Sequence, residues 1–287
     1  MFKNTSFITL IMDPEEFRKD LLSEIGMNLG KFVTKNKDWT VKGFIDIFRN
    51  IYTISIDTKV VSKVLELMLF PIIASFCGRK GIKLMVASAQ NHYPDLTFIL
   101  PDNTKIAMDI KSAYRENGDK ISGFTLGSFT GYFRNRNSSK NSTLPYSEYS
   151  KHYILGVIYT RKNDKVDEGE TYKLDQLESI ESAICDLDFI IQEKYKIAHH
   201  LPGSGNTKNI GSIKNIDDIK AGNGPFAKLG EEIFDDYWMY YQTRDMAKDM
   251  SPDGKPPYSN LKEYIKYKKM GSNIEGSLDE FEKEDNQ

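Results

Sequence analysis

Three charged residues stand in a stretch where strand residues are usually apolar: Asp95, Asp109 and Lys111. They fall in the pattern Pro94-Asp95, thirteen residues, then Asp109-Ile110-Lys111. Two carboxylates can hold one hard divalent cation such as Mg2+, which favours oxygen donors and keeps several of its waters. A lysine on the same face can orient an attacking water, help remove its proton, and offset charge building up on phosphorus. Lysine suits that task because its pKa moves readily in a shielded site. These residue types at this spacing point to metal-dependent hydrolysis of a phosphodiester. The competing explanation is a salt-bridged strand edge, since short acid and lysine pairs recur by chance.

The chemistry requires particular elements. Over 105–111, alternation puts Ile106, Met108 and Ile110 on one face and Ala107, Asp109 and Lys111 on the other. Asp95 joins them only if it lies opposite Asp109. That needs an odd loop, 101–103 or 100–104; a two- or four-residue loop centred on Asp102-Asn103 sets Asp95 against Ile110 unless a bulge intervenes. A strand is expected over 82–88, followed by the polar loop Ala89-Gln90-Asn91-His92-Tyr93. Before it, a helix capped by Asp57 is predicted over 58–78, where Val60, Val61, Val64, Leu65, Leu67 and Met68 leave little of its circumference polar. Pro71 is expected to kink it. Glu66, inside that apolar run, is either a carboxylate at the helix edge facing water or an acid aimed at the centre, because fully buried unpaired carboxylates are rare.

The remaining elements follow from periodicity. A first helix starts at Asp13, with Glu16 completing a capping box and Pro14 in the first turn. Phe17, Leu21, Leu22, Ile25, Leu29 and Phe32 form its core stripe. Residues 40–56 read as a hairpin around Arg49-Asn50, so apolar that something must cover it, such as a second subunit. Residues 115–150 are rich in Gly, Ser, Asn and Arg and are expected at the surface. A central strand is predicted over 153–160, a helix over 174–184, a strand over 189–198, and a last helix over 227–250 carrying Phe234, Tyr237, Trp238 and Tyr241. The basic, aromatic run 255–269 faces phosphate or is simply a solvated helix.

The segment Pro202-Gly203-Ser204-Gly205-Asn206-Thr207-Lys208-Asn209-Ile210-Gly211-Ser212 interrupts this pattern. No Gly-Lys-Ser/Thr closes it as in a phosphate-binding loop, and Lys208 stands where a dinucleotide fingerprint has its third glycine. No nucleotide cofactor is expected. It is a flexible surface loop, or one whose small residues let backbone approach a partner while Asn206 offers paired hydrogen bonds to an adenine edge.

Composition sets looser bounds. The 287 residues suffice for one large domain or two ordinary ones. Net charge is −2, but residues 271–287 carry six acids against one base, so the rest of the chain stands at +3. Nucleic acid is permitted as a partner, not demanded. Cys77 and Cys185 read as reduced core thiols. The apolar stretch 7–12 is too short for a signal-peptide core, and no run is expected to reach membrane-spanning length. A soluble cytoplasmic protein with no membrane partner is the expectation.

Several stretches carry a resemblance. Asp57-Thr58-Lys59-Val60 through Glu66 to Pro71-Ile72-Ile73 comes first, then Gln90-Asn91-His92-Tyr93-Pro94-Asp95, Asp109-Ile110-Lys111 and Phe124-Thr125-Leu126-Gly127. Gly203-Ser204-Gly205-Asn206-Thr207, Asn209-Ile210-Gly211-Ser212 and Asp236-Tyr237-Trp238 complete the series. In this order, over about residues 40–245, they resemble the EcoRV-like type II restriction endonucleases of the PD-(D/E)xK nuclease superfamily.

The resemblance implies an α/β fold: a central mixed β-sheet flanked by helices, with a dimerisation hairpin and a DNA-binding subdomain. It implies an endonuclease domain at 40–270, with the hairpin at about 40–56, the catalytic core at about 57–200 and a recognition loop at 202–212. The helical extension at 1–39 and the acidic tail are additions without a counterpart in the family. The acidic tail 271–287 is expected to be disordered. The implied activity is Mg2+-dependent cutting of both strands of double-stranded DNA by a homodimer at a short palindrome, GATATC, leaving blunt ends. Asp95 and Asp109 would be metal ligands with the Ile110 backbone carbonyl, Lys111 would serve the water, and Glu66 would be an auxiliary acid for a second ion. Gly203, Ser204, Gly205, Asn206, Thr207 and Lys208 would meet the major groove, and Asn209 would add a DNA contact. Gln90 and Asn91 would follow the minor-groove side, and Ser112, Tyr114, Thr125 and Thr130 would add contacts.

The chain departs from the family pattern in three places. Ser112-Ala113-Tyr114 replaces Thr-Thr-Tyr, Lys208 replaces a threonine, and Gly131 replaces a hydroxyl residue. Two other functions compete. A DNA-binding protein without catalysis would not need Asp95, Asp109, Lys111 and Glu66 together. A non-specific repair nuclease of the same fold would not need the 203–207 loop.

Overall fold

The computed structural model describes residues 12–89, 91–162, 169–203 and 207–270. Gln90, the loop residues Ser204, Gly205 and Asn206, and the acidic tail lie outside them. The strands are β1 (Gly43–Ile45), β2 (Asn50–Thr53), β3 (Lys83–Val86), β4 (Leu96–Ile99), β5 (Lys105–Tyr114), β6 (Thr125–Ser128), β7 (Lys151–Arg161), β8 (Thr171–Lys173), β9 (Ile184–Glu193), β10 (Ala198–Pro202) and β11 (Asn209–Ser212). The helices are α1 (Pro14–Met27), α2 (Thr58–Lys80), α3 (Lys194–Ile197), α4 (Ile216–Ala221), α5 (Glu231–Tyr240), α6 (Arg244–Met250) and α7 (Leu261–Tyr267). The chain divides into two compact units, Met1–Tyr114 with Ser147–Ile191, and Arg115–Tyr146 with Gln192–Gln287.

The first unit is built on a mixed sheet of order β3-β4-β5-β7-β9, in which β3, β4 and β5 run antiparallel and β5 and β7 parallel. One face of it is dry. Leu96, Phe98, Ile106, Met108, Leu155 and Val157 pack there with Phe17 and Leu21 of α1 and Val61, Leu65, Leu69 and Phe76 of α2. The Phe17 ring lies 4.9 Å from Phe98 and 6.1 Å from Phe76. Each such side chain contributes about 1.5–3 kcal/mol by leaving water.

Helix α2 begins where Asp57 accepts hydrogen bonds from the amides of Lys59 and Val60, and it ends at Gly81 in the left-handed region, φ 67°. Pro71 does not end it. By length and composition α2 is apolar enough to cross a bilayer, contrary to the expectation that no run reaches that length. Here Val61, Leu65, Leu69, Ile73 and Phe76 put that apolarity into the protein core.

At α1 the expected capping box does not form, because the Asp13 side chain makes no cap hydrogen bond. Glu15 instead grips Arg18, whose Nη1 donates to the carbonyl of Ile191 at 2.8 Å and ties α1 to β9.

The expected hairpin is present as β1 and β2, and β8 adds a third strand against β2. Asp46 builds its turn. Its carboxylate accepts from the amides of Asn50 and Phe48, the Asn50 side chain and the Tyr52 hydroxyl, and Arg49 takes φ 64°. Those bonds, Asn50's foremost, hold the Asp46 carboxyl below its ordinary range. Ile47 is 90% exposed and Phe48 74%, with Phe44, Ile45 and Tyr52 also uncovered.

Two predicted elements are corrected nearby. Residues 174–184 are a 3-10 turn, Leu174–Ser179, followed by the start of β9. The spacing of Leu174, Leu177 and Ile180 suits three residues per turn as well as 3.6. The strand predicted over 189–198 is instead the end of β9, the single turn α3 and the start of β10.

The second unit holds the antiparallel sheet β10-β11-β6 and an aromatic core. Phe129 stacks on Trp238 at 5.1 Å, and Tyr237 lies 5.1 Å from Tyr258, which lies 5.0 Å from Tyr264. Residues 115–150 are therefore not simply surface: Ile121, Phe124, Leu126, Phe129 and Phe133 are buried. Arg136 donates to Asp235 at 2.5 Å over the rings of Phe133 and Tyr146. Arg134 donates to the carbonyls of Phe129 and Tyr241.

The single helix predicted over 227–250 breaks at Tyr241. There the Thr243 hydroxyl accepts from the Met246 amide and starts α6. In 255–269 Tyr258 and Tyr264 face the core, and Lys268 pairs with Asp236 at 2.7 Å. Cys77 and Cys185 are free thiols, and burial pushes Cys77 up to about 12.

Candidate active site

Strand register decides where the acids fall. Leu96 pairs with Met108, Thr97 with Ala107, Phe98 with Ile106 and Ile99 with Lys105, which leaves 100–104 as the connection. That is one of the two odd lengths required. Inside it the Leu100 amide donates to Thr104 O at 2.9 Å and the Asn103 amide to Leu100 O at 2.9 Å. Asn103 takes φ 70°, and Asp102 accepts from the Thr104 amide and hydroxyl. The register carried one step back sets Asp95 against Asp109.

Hydrogen bonds fix that pairing. The Asp95 amide donates to Asp109 Oδ1 at 3.1 Å, and the Ile110 amide donates to Asp95 Oδ2 at 2.8 Å. Lys111 Nζ lies 3.3 Å from Asp95 Oδ2 and 3.5 Å from Asp109 Oδ2. The Asp109 side chain is 6% exposed and that of Asp95 37%. The sequence therefore brings Asp95, Asp109 and Lys111 together as expected. Burial first, then the charge of Asp109, raise the Asp95 carboxyl above its usual range despite the Lys111 ammonium. Burial opposes the charged form of Lys111, but the carboxylates of Asp109 and Asp95 outweigh it and hold its pKa above the ordinary lysine value.

The site face is arranged in rows. Thr97, Ala107 and His152 form one row across β4, β5 and β7, and Asp95, Asp109 and Ile154 form the next. Gly156 stands beside Lys111, so β7 adds no side chain there. The first row is buried, and its outer members Thr97 and His152 are polar. The Thr97 hydroxyl bonds that of Tyr149 at 2.8 Å, and the Tyr93 hydroxyl bonds His152 Nδ1 at 2.6 Å. Sequence reasoning missed these four residues. The one available signal was a histidine at the entry of an apolar strand.

Glu66 is not drawn into this cluster. Its helix covers the opposite face of the sheet, where Ser62 bonds Ser112 at 2.6 Å, and its carboxylate pairs with Lys63 at 2.7 Å. Ser112 and Tyr114 share that helix-covered face, with Arg161 3.5 Å over the Tyr114 ring. Asn91 is exposed.

In the second unit, Thr130 bonds Ser128 at 2.8 Å, Thr125 is exposed at the start of β6, and Lys208 O accepts from the Phe129 amide at 3.0 Å. The base of the 203–209 loop is closed by the Gly203 amide donating to Asn209 O at 3.0 Å. A Cβ on Gly211 would stand 2.9 Å from Gly203 Cα, so that approach requires glycine. Thr207 is half-buried there. Gln90, Ser204, Gly205 and Asn206 lie outside the described residues.

The donor set fits a small hard cation. Two carboxylates and the neighbouring Ile110 carbonyl offer oxygen only, and two acids against one ammonium leave the site short of positive charge. Among the described residues no third acid, histidine or cysteine joins them. That matches an ion which keeps its waters rather than one that needs a full protein cage.

A family model for the restriction endonuclease EcoRV matches residues 35–269. The type II restriction enzyme EcoRV of Escherichia coli is 36% identical over 233 residues, covering 80% of this chain and 91% of that protein. The mixed sheets flanked by helices fit the same fold, and enzymes of this family depend on divalent metal. The match spans both units, from the hairpin through the acidic pair to the last helix, and the chain belongs to the EcoRV family of type II restriction endonucleases, which are site-specific deoxyribonucleases.

Proposed function

We propose that the protein cuts both strands of duplex DNA at the palindrome GATATC, leaving blunt ends, as a Mg2+-dependent homodimer in the cytoplasm. The observation that carries this reading is the meeting of Asp95, Asp109 and Lys111 on one sheet face. Asp95 and Asp109 would hold Mg2+ with the Ile110 carbonyl. When bound, that ion polarises a phosphate oxygen and acidifies a coordinated water. Lys111, kept protonated by its two acids, presents positive charge to the phosphate and orients the water. On the family resemblance, and not on its place in this structure where it pairs with Lys63, Glu66 would be an auxiliary acid for a second ion.

Residues 203–208 read the major groove, with Gln90 and Asn91 on the minor-groove side and Asn209, Thr125 and Thr130 adding contacts. For Ser112 and Tyr114, which lie on the helix-covered face, a contact rests on the resemblance alone. The GATATC assignment is supported by the run Gly203-Ser204-Gly205-Asn206-Thr207. The exposed apolar hairpin supports dimerisation, since a pair with two-fold symmetry repeats each contact on a palindrome. The proposed layout keeps 1–39 as an extension, 40–270 as the endonuclease domain and 271–287 as a tail.

Incubation of purified protein with plasmid DNA and Mg2+ tests this. Discrete blunt-ended fragments mapping to GATATC are expected. Discrete fragments at other sites overturn the recognition sequence, smearing identifies a non-specific nuclease, and intact but shifted DNA identifies a binder without catalysis.

A further inference from the structure

We infer that His152 is a positioning residue for the carboxylate of Asp95, acting through the hydroxyl of Tyr93. The inference rests on the reading of Asp95 as a metal ligand. Asp95 precedes the first residue of β4, so the ladder does not hold the segment that delivers it. Contacts beyond that strand do: the Asp95 carbonyl accepts from the Ala87 amide at 3.1 Å and Asp95 Oδ2 from the Ile110 amide at 2.8 Å. The Asp95 amide is held by Asp109 Oδ1 at 3.1 Å, and two residues earlier the Tyr93 hydroxyl is held by His152 Nδ1 at 2.6 Å.

His152 is itself fixed. It pairs in register with Ala107, two residues from Asp109 on the same strand, and its ring lies 5.7 Å from that of Tyr149. Tyr149 also meets Tyr93 edge-on at 6.3 Å and bonds Thr97. Tyr93 is 5% exposed and His152 7%, so their bond is made away from competing water. The pair connects the approach to one acid with the strand beside the other. Loss of either partner leaves Tyr93 and Pro94 less firmly held, so that Asp95 rests on its own bonds alone and the paired geometry of the two carboxylates loosens. Groups that support metal-binding carboxylates in this way typically set about 10–100-fold in metal affinity.

Tyr93→Phe, His152→Leu, their double variant and His152→Asn test the inference. Mn2+ binding to the free protein is followed by water-proton relaxation, alongside thermal unfolding and the Mg2+ dependence of cleavage. Tyr93→Phe and His152→Leu are each expected to weaken Mn2+ binding about 10-fold. The Mg2+ concentration for half-maximal cleavage should move by a similar factor, while KM for DNA stays unchanged. The double variant should be no worse than either single one, and His152→Asn, which keeps a bonding atom near the Nδ1 position, should recover much of the loss. Wild-type metal affinity in Tyr93→Phe, or additive losses in the double variant, overturns the inference. Tyr93→Phe preserves shape and decides the matter even where His152→Leu fails to fold. If the unaltered protein binds Mn2+ yet leaves DNA intact, the nuclease reading fails while the binding data still judge the positioning role.

Discussion

The Asp95 amide donates to Asp109 Oδ1 at 3.1 Å, so the two acids are joined by a hydrogen bond within the protein itself. One of them both accepts from the other's backbone and shares its lysine. Removing charge and removing shape should therefore have separable effects.

Asp109→Asn keeps an acceptor for the Asp95 amide while removing the negative charge. We expect it to lower the cleavage rate at least about 100-fold, and Lys111→Ala to do the same by removing the positive charge facing the phosphate. Specific DNA binding should largely survive in both. Single-turnover cleavage and gel-shift titration on the same oligonucleotide check this, and full activity in either variant sinks the proposed mechanism.

Asp95 titrates above its usual range because of burial and the Asp109 charge. Its folded pKa exceeds the unfolded one, so the folded state holds the proton longer, and stability falls as pH rises from the unfolded toward the folded value. At neutral pH the ionised group costs stability. Asp95→Asn should thus unfold no earlier than the unaltered protein without metal, by scanning calorimetry. Mg2+ at about 100 times its Kd should stabilise the unaltered protein by about 2.7 kcal/mol, a gain that Asp95→Asn loses. A markedly lower midpoint in metal-free Asp95→Asn contradicts the sign.

Ile47→Asp with Phe48→Asp places charge on the most exposed apolar tip of the hairpin. Sedimentation equilibrium is expected to show a dimer for the unaltered chain, as proposed, and a monomer for this variant, with far-UV circular dichroism unchanged. A dimer that persists at micromolar concentration moves the interface elsewhere.

Asn103 sits at φ 70° in the turn that sets the register. Asn103→Gly should be nearly neutral, whereas Asn103→Val should cost about 1–2 kcal/mol in urea unfolding. Deleting Asn103 makes the connection even and turns Asp95 from its partner. That variant should lose cleavage more completely than Asn103→Val, and an active deletion variant refutes the register argument.

Glu66 pairs with Lys63 on the helix behind the sheet. Glu66→Gln should reduce the cleavage rate by a smaller factor than Asp109→Asn does under the same conditions. Equal losses in quenched-flow assays would make Glu66 a principal ligand.

Much of this architecture is legible in the sequence. The alternation around Asp109 and Lys111 predicted a shared face, and it reduced the question of Asp95 to a loop of odd length. What stayed hidden depends on long-range partners. His152 finds Tyr93 across 59 residues of chain, which no local pattern records. The polar composition of 115–150 concealed Phe129 and Phe133 because composition measures abundance, not burial. The break between α5 and α6 was missed because Thr243 caps a new helix inside a run that keeps apolar residues at helical spacing.

The uncovered hairpin has a consequence beyond assembly. Under the proposed pairing, a chain that cuts only as a dimer has activity that rises with the square of its concentration while it is scarce. Cutting would lag behind the synthesis of the chain, by an interval set by how tightly two copies pair. The exposed face of Ile47 and Phe48 would then act as a timer as well as a seam.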